Sequence, residues 1–172
     1  FEKITLIEDI KFNVSYFDSV CSMNVLNTTP YHYLKRIDGS LTNKFLPDYF
    51  TLNAERVFLV LEQYKNWGMC TEEVRRILAN IYVRYLFSAL QRNCDKRSDM
   101  NHAQRKEWLK QQYKTPLCKE LLSAVQASGT LFKCMAKAFC AGNIPLCLMI
   151  ARSIFAVKSA FPTVFSTLKQ QH

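Results

Sequence analysis

Glycine and proline are scarce in this chain, four and five among 172 residues, so long linker-like or disordered stretches are excluded as its main content. The seven cysteines (21, 70, 94, 118, 134, 140 and 147) include no Cys-x-x-Cys and no paired histidine at ligand spacing, which argues against a zinc site. They read instead as buried free thiols of a reducing compartment. There is no uninterrupted apolar run long enough to span a bilayer. The most apolar stretch, residues 144–165, is broken by Arg152, Lys158 and Pro162. Two readings stay open for it: a core helix, or a helix lying in a membrane plane with Arg152, Lys158 and Lys169 toward the head groups. The opening Phe1-Glu2-Lys3-Ile4 offers no Met, no basic segment and no apolar signal core. The start is read as a cut into a longer chain.

What is present is ordinary for a folded protein, with 49% hydrophobic and 22% charged residues. The net charge of +9 is unevenly distributed. Residues 1–48 hold 5 basic and 6 acidic side chains, a balance of −1, and residues 49–172 hold 18 and 8, a balance of +10. The second part is a cation, suited either to a phosphate-rich partner or simply to solvation.

The apolar periodicity changes character near Pro47. Before it, Glu8 or Asp9 opens a helix with Ile10, Val14 and Phe17 on one face and Phe12 and Tyr16 beside them. Val20–Leu26 alternates apolar and polar residues and is expected to be a half-buried strand. Asn27–Pro30 turns the chain, Tyr31–Arg36 is expected to return as a second strand, and Asp38-Gly39-Ser40 ends it. After Pro47, helices are expected at Tyr49–Trp67, Thr71–Arg92, Ala103–Tyr113, Pro116–Ala127 and Thr130–Cys140, with a last one from Pro145. Gly68 and Gly142 sit where helices stop, and Thr71 sits where an N-cap belongs. The apolar faces are expected to be Phe50, Ala54, Val57, Phe58, Leu61 and Tyr64 in the first helix of this series. In the second they are Ile77, Ile81, Tyr85 and Phe87–Leu90.

Chemistry concentrates in the first quarter. Glu8-Asp9 places two carboxylates in the first turn of a helix, where one can accept a proton from an attacking hydroxyl. The plainer reading is a capping role, since acids are favoured there by the helix dipole alone. Ile7-Glu8-Asp9-Ile10-Lys11-Phe12-Asn13, followed by Pro30-Tyr31-His32-Tyr33 and Gly39-Ser40-Leu41-Thr42, resembles the end of the catalytic domain of bacterial family 2 glycosyltransferases. Those enzymes have the GT-A fold and build surface polysaccharides. The resemblance covers roughly residues 1–48, and the helical remainder resembles the variable C-terminal extension that such enzymes often carry.

The resemblance implies a mainly α chain in two parts. Residues 1–48 would be a short α/β remnant (helix plus strand pair) of the catalytic domain, and residues 49–172 an all-α domain. It implies Asp9 as catalytic base with Glu8 beside it in the acceptor site. It also implies His32, Lys35 and Arg36, with the hydroxyls of Ser40 and Thr42, near the donor diphosphate, where cations balance the leaving charge. Ile7 stands where the family usually has glycine, and Leu34 where it often has arginine. The Asp-x-Asp that holds a divalent ion in such enzymes does not occur, and Asp95 and Asp99 are spaced too widely to replace it. The strands that would hold the nucleotide are missing as well. The expectation is therefore a C-terminal fragment of an inverting glycosyltransferase, inactive alone and with no cofactor of its own. Its intact form would use manganese or magnesium, a nucleotide-sugar donor, and a glycan or lipid-linked acceptor. The expected location is cytoplasmic, with peripheral contact to the inner face of the membrane through the basic helices. The alternative from another class is a basic helical module binding nucleic acid or a protein, with nucleic acid not favoured.

Overall fold

In the computed structural model, residues 6–29 and 45–161 are described, and they hold seven helices and no strand. In chain order these are α1 (Glu8–Phe17), α2 (Tyr49–Asn66), α3 (Glu72–Arg92), α4 (His102–Lys114), α5 (Pro116–Leu122), α6 (Thr130–Cys140) and α7 (Ile144–Ala160).

Local chemistry sets the boundaries. Thr71 caps α3 by accepting from the Val74 amide. Asn101 and Gln104 form a reciprocal capping box on α4. Thr115 caps α5, with Pro116 at its first position. After α2 the chain turns at Gly68, whose φ of +66° suits a residue without a Cβ. There the Met69 amide donates to Tyr64 O and the Gly68 amide to Lys65 O, the paired bonds of a Schellman stop. Gly142 repeats this after α6, with the Asn143 amide donating to Ala138 O.

The short turn folds α3 back along α2. Phe50 meets the Tyr82 and Trp108 rings edge-on at 5.4 and 5.3 Å, and Arg92 lies over Tyr49 at 4.2 Å. α3 is the central element: it packs against α2, α5, α6 and α7, and buries Leu78, Ala79, Tyr82, Val83, Leu86, Phe87, Ala89 and Leu90. A helix covered from several sides needs apolar residues around most of its circumference. α7 closes the core with Cys147, Leu148 and Ala151, and Tyr113 of α4 stacks on Phe139 of α6 while donating to its carbonyl oxygen at 2.7 Å.

Three expectations are corrected. The α/β remnant is not seen: Val20–Leu26 forms no strand, and Met23, Val25 and Leu26 are 69%, 91% and 75% exposed. Alternation marks a strand only where a partner and a covering layer exist, and no described residue covers this segment. The mainly α character stands. The expected second strand, Tyr31–Arg36, lies outside the described residues. Second, α5 ends at Leu122 rather than Ala127, because Asn80 of α3 takes over the Gln126 backbone, donating to its carbonyl at 2.8 Å and accepting from its amide at 3.1 Å. Third, α3 buries Phe87, Ala89 and Leu90 as expected but takes Leu78 and Tyr82 into the core in place of Ile77, which is exposed, and Phe58 of α2 is likewise exposed.

Candidate active site

α1 begins without a side-chain cap, since its N-cap residue is Ile7. Asp9 takes part of that role. Glu8 accepts from the Leu6 amide and Asp9 Oδ1 from the Ile10 amide, both at 2.8 Å. Of these two, only the Asp9 bond satisfies a first-turn amide of the helix, since Leu6 precedes it. Ile7 itself is fully buried, so the position that the family resemblance assigns to glycine is filled.

The helix buries none of its ten residues and lies on α2 through polar contacts. Buried Gln63 donates to Val14 O at 2.9 Å, and Lys11 pairs with Glu55 at 2.8 Å. Arg56 Nη2 lies 3.4 Å from Asp9 Oδ1, while Arg56 Nη1 donates to the Tyr85 hydroxyl at 3.3 Å. Burial works against the Arg56 charge, but the Tyr85 hydrogen bond and the Asp9 carboxylate outweigh it, raising its pKa above the ordinary arginine value. The Asp9 side chain remains 64% exposed, and among the described residues its Oδ2 accepts no hydrogen bond. Asp9 is thus in contact with a cation yet open to solvent.

Cavities lie elsewhere. One of about 200 Å³ is lined by residues that include Phe45, Tyr49, Phe50, Arg92, Arg97 and Trp108, and a shallow groove runs between Glu72–Arg76 and Ser123–Gln126. No residue of α1 lines either. Of the expected site residues, Glu8 and Asp9 are adjacent as read. His32, Lys35, Arg36, Ser40 and Thr42 lie outside the described residues. The metal that the resemblance implies finds no ligand set here: among the described residues no three of His, Cys, Asp and Glu group around a point, and no step is routed through an ion. No described helix is long and apolar enough to cross a membrane.

The sequence reading missed Arg56, Tyr85 and Gln63 as neighbours of the acid helix. Each looks like an ordinary helix residue in the chain, and only the packing of α1 on α2 reveals them. The thiols also differ from expectation. All seven are free, but only Cys118 and Cys147 are buried, whereas Cys21, Cys134 and Cys140 are exposed. Burial pushes the Cys118 and Cys147 thiols up to about 11, so both stay protonated and unreactive at neutral pH.

Comparison with protein-family models, with curated proteins and with solved structures gives no match for this chain.

Proposed function

We propose that this chain is the C-terminal part of an inverting glycosyltransferase, which moves a sugar from a nucleotide-sugar donor to a glycan or lipid-linked acceptor and is inactive without its donor-binding half. The observation that carries this reading is the acid pair in the first turn of α1. The Asp9 carboxylate is solvent-accessible, with no hydrogen bond to Oδ2 among the described residues, and the order Glu-Asp-x-x-Phe-Asn follows from Glu8 to Asn13. In this mechanism Asp9 Oδ2 takes the proton of the acceptor hydroxyl as its oxygen forms the new C–O bond to the anomeric carbon. The donor's C–O bond to diphosphate breaks on the opposite face, so the centre inverts. Glu8 contacts the acceptor. His32, Lys35 and Arg36 balance the departing diphosphate, and Ser40 and Thr42 donate hydrogen bonds to it.

The same reading sets the protein against an anionic membrane face. α7 packs on the core as far as Ile154. Beyond Ile154 the chain presents exposed Val157 and Phe161 next to Lys158, an amphipathic end suited to a lipid headgroup layer. The balance of +10 over residues 49–172 favours a second reading, a basic module for nucleic acid or protein. Against a nucleic-acid partner, several of its candidate phosphate contacts already have partners within the chain. Arg75 and Arg76 meet Glu120 and Glu73, Arg97 meets Asp95, Lys110 meets Glu107, and Arg84 lies over Phe132.

The test is nucleotide release by the intact protein from a panel of UDP- and GDP-sugars, with and without an alkyl glycoside acceptor. Acceptor-dependent release is expected from the intact protein and none from the 172-residue chain alone. Arg36→Ala is expected to raise the donor KM by about tenfold, in line with the loss of a charge-assisted hydrogen bond. No acceptor-dependent release with any donor counts against the transferase. Tight RNA or DNA binding by the chain with a steep salt dependence favours the module instead.

A further inference from the structure

The acid helix has no buried residue of its own, so something outside it must fix where its carboxylate points. We propose that Arg56 and Tyr85 are positioning residues for Asp9, through which the helical core sets the geometry of the catalytic base. The inference rests on the transferase reading given above.

Arg56 is built as a bracket. Its guanidinium reaches Asp9 Oδ1 through Nη2 at 3.4 Å and the Tyr85 hydroxyl through Nη1 at 3.3 Å. Its Nε is buried and finds no partner. Leaving a buried donor unpaired is costly, and a guanidinium whose only purpose was solubility would turn outward to water. Tyr85 belongs to α3, the central helix, and its ring is braced edge-on against Tyr49 at 6.5 Å. The line Tyr85–Arg56–Asp9 thus runs from the most buried helix through α2 to the most exposed one. The Arg56–Asp9 distance matters for function. A charge-assisted bond at its best length is about 2.7–2.9 Å. At 3.4 Å, and to one oxygen only, Arg56 orients the carboxylate and leaves Oδ2 able to take a proton. Lys11–Glu55 and Gln63–Val14 hold α1 on α2 independently, so losing Arg56 releases the carboxylate without releasing the helix.

The experiment compares Arg56→Gln, Arg56→Lys, Tyr85→Phe, Asp9→Asn and the Asp9→Asn/Arg56→Gln pair in the intact protein. Nucleotide release from the donor panel and hydrogen exchange of the α1 amides are both read. Arg56→Gln is expected to lower kcat by about 10- to 100-fold, the scale of a misplaced catalytic group, with donor KM unchanged. Tyr85→Phe does the same to a smaller degree, and Arg56→Lys recovers part of the loss. In the Asp9→Asn background Arg56→Gln has no further effect, because the group it positions is already gone. Exchange in α1 stays as in the wild type. Unchanged kcat in Arg56→Gln overturns the proposal, as does an equal further loss in the Asp9→Asn background. Faster exchange throughout α1 also overturns it, since Arg56 would then be a docking residue. Full activity of Asp9→Asn sinks the transferase assignment itself, which is a different failure.

Discussion

α1 buries none of its ten residues, whereas α3 buries eight of 21, and the two are held by different physics. α3 is fixed by apolar area removed from water on several sides, which is non-directional and summed over many side chains. α1 rests on α2 through a handful of directional contacts: a buried amide to a backbone oxygen, a lysine–glutamate pair and the Arg56 bracket. Contacts of the second kind contribute little free energy each, but they specify orientation. A segment that must present a carboxylate to a substrate is better served by orientation than by burial.

The largest expected contrast comes from truncating each element. Phe87→Ala, which removes a fully buried ring from the centre of α3, is expected to destabilise by about 3–5 kcal/mol in chemical denaturation. Val14→Ala on the half-buried face of α1 is expected to cost under about 1 kcal/mol. Comparable losses at the two positions would mean that α1 belongs to the core after all.

A smaller effect should appear at high pH, and only in the core. The folded pKa of Cys118 and of Cys147 is about 11, against an ordinary thiol value of 9.0. For groups raised in this way the stabilisation is complete below the ordinary value and is lost as pH rises through the folded one. Stability is therefore expected to fall between pH 9 and about 11, and less steeply in Cys118→Ala. In a thiol-labelling assay Cys21 and Cys134 should react in the folded protein, and Cys118 and Cys147 only on unfolding. Rapid labelling of all seven would contradict the burial assignments.

Next in size is the Asn80 clasp on Gln126. Asn80→Ala is expected to cost about 1 kcal/mol and to loosen residues 123–128, read as faster amide exchange there. Smallest is the exposed pair Arg97–Asp95 on the loop after α3. Two hydrogen bonds from the Arg97 side chain and one from its amide hold the Asp95 carboxyl down at about 2. A depressed carboxylate stabilises above its ordinary value and loses that contribution as pH falls through the folded one. Asp95→Asn should cost under about 1 kcal/mol at neutral pH, and the difference from wild type should vanish as pH falls from 3.8 toward 2.

Much of the helical part was readable in the chain. Gly68 and Gly142 stop helices where their backbone freedom is needed, Thr71 caps, Pro116 starts, and the spans of α2, α3 and α6 follow within a residue. The faces were harder. α3 has a wide apolar arc, and Ile77 lies at its margin beside Asn80, Arg84 and Ser88, whereas Leu78 and Tyr82 lie within it. The end of α5 depends on Asn80, 46 residues away, and no local pattern reports that. The alternation at Val20–Leu26 is genuine in the sequence, but alternation specifies a strand only when something lies over it. As for the site, the acid pair is visible as a local motif, whereas its bracket is a tertiary contact between unremarkable helix residues.

Asp9→Asn, measured in one preparation for both turnover and thermal unfolding, tests the separation between orientation and burial most directly. The account predicts a turnover lowered by about a hundredfold or more with a melting temperature close to that of the wild type, because the pair with Arg56 contributes little stability. Undiminished turnover together with a lowered melting temperature would contradict it, and would make the ninth residue a structural anchor.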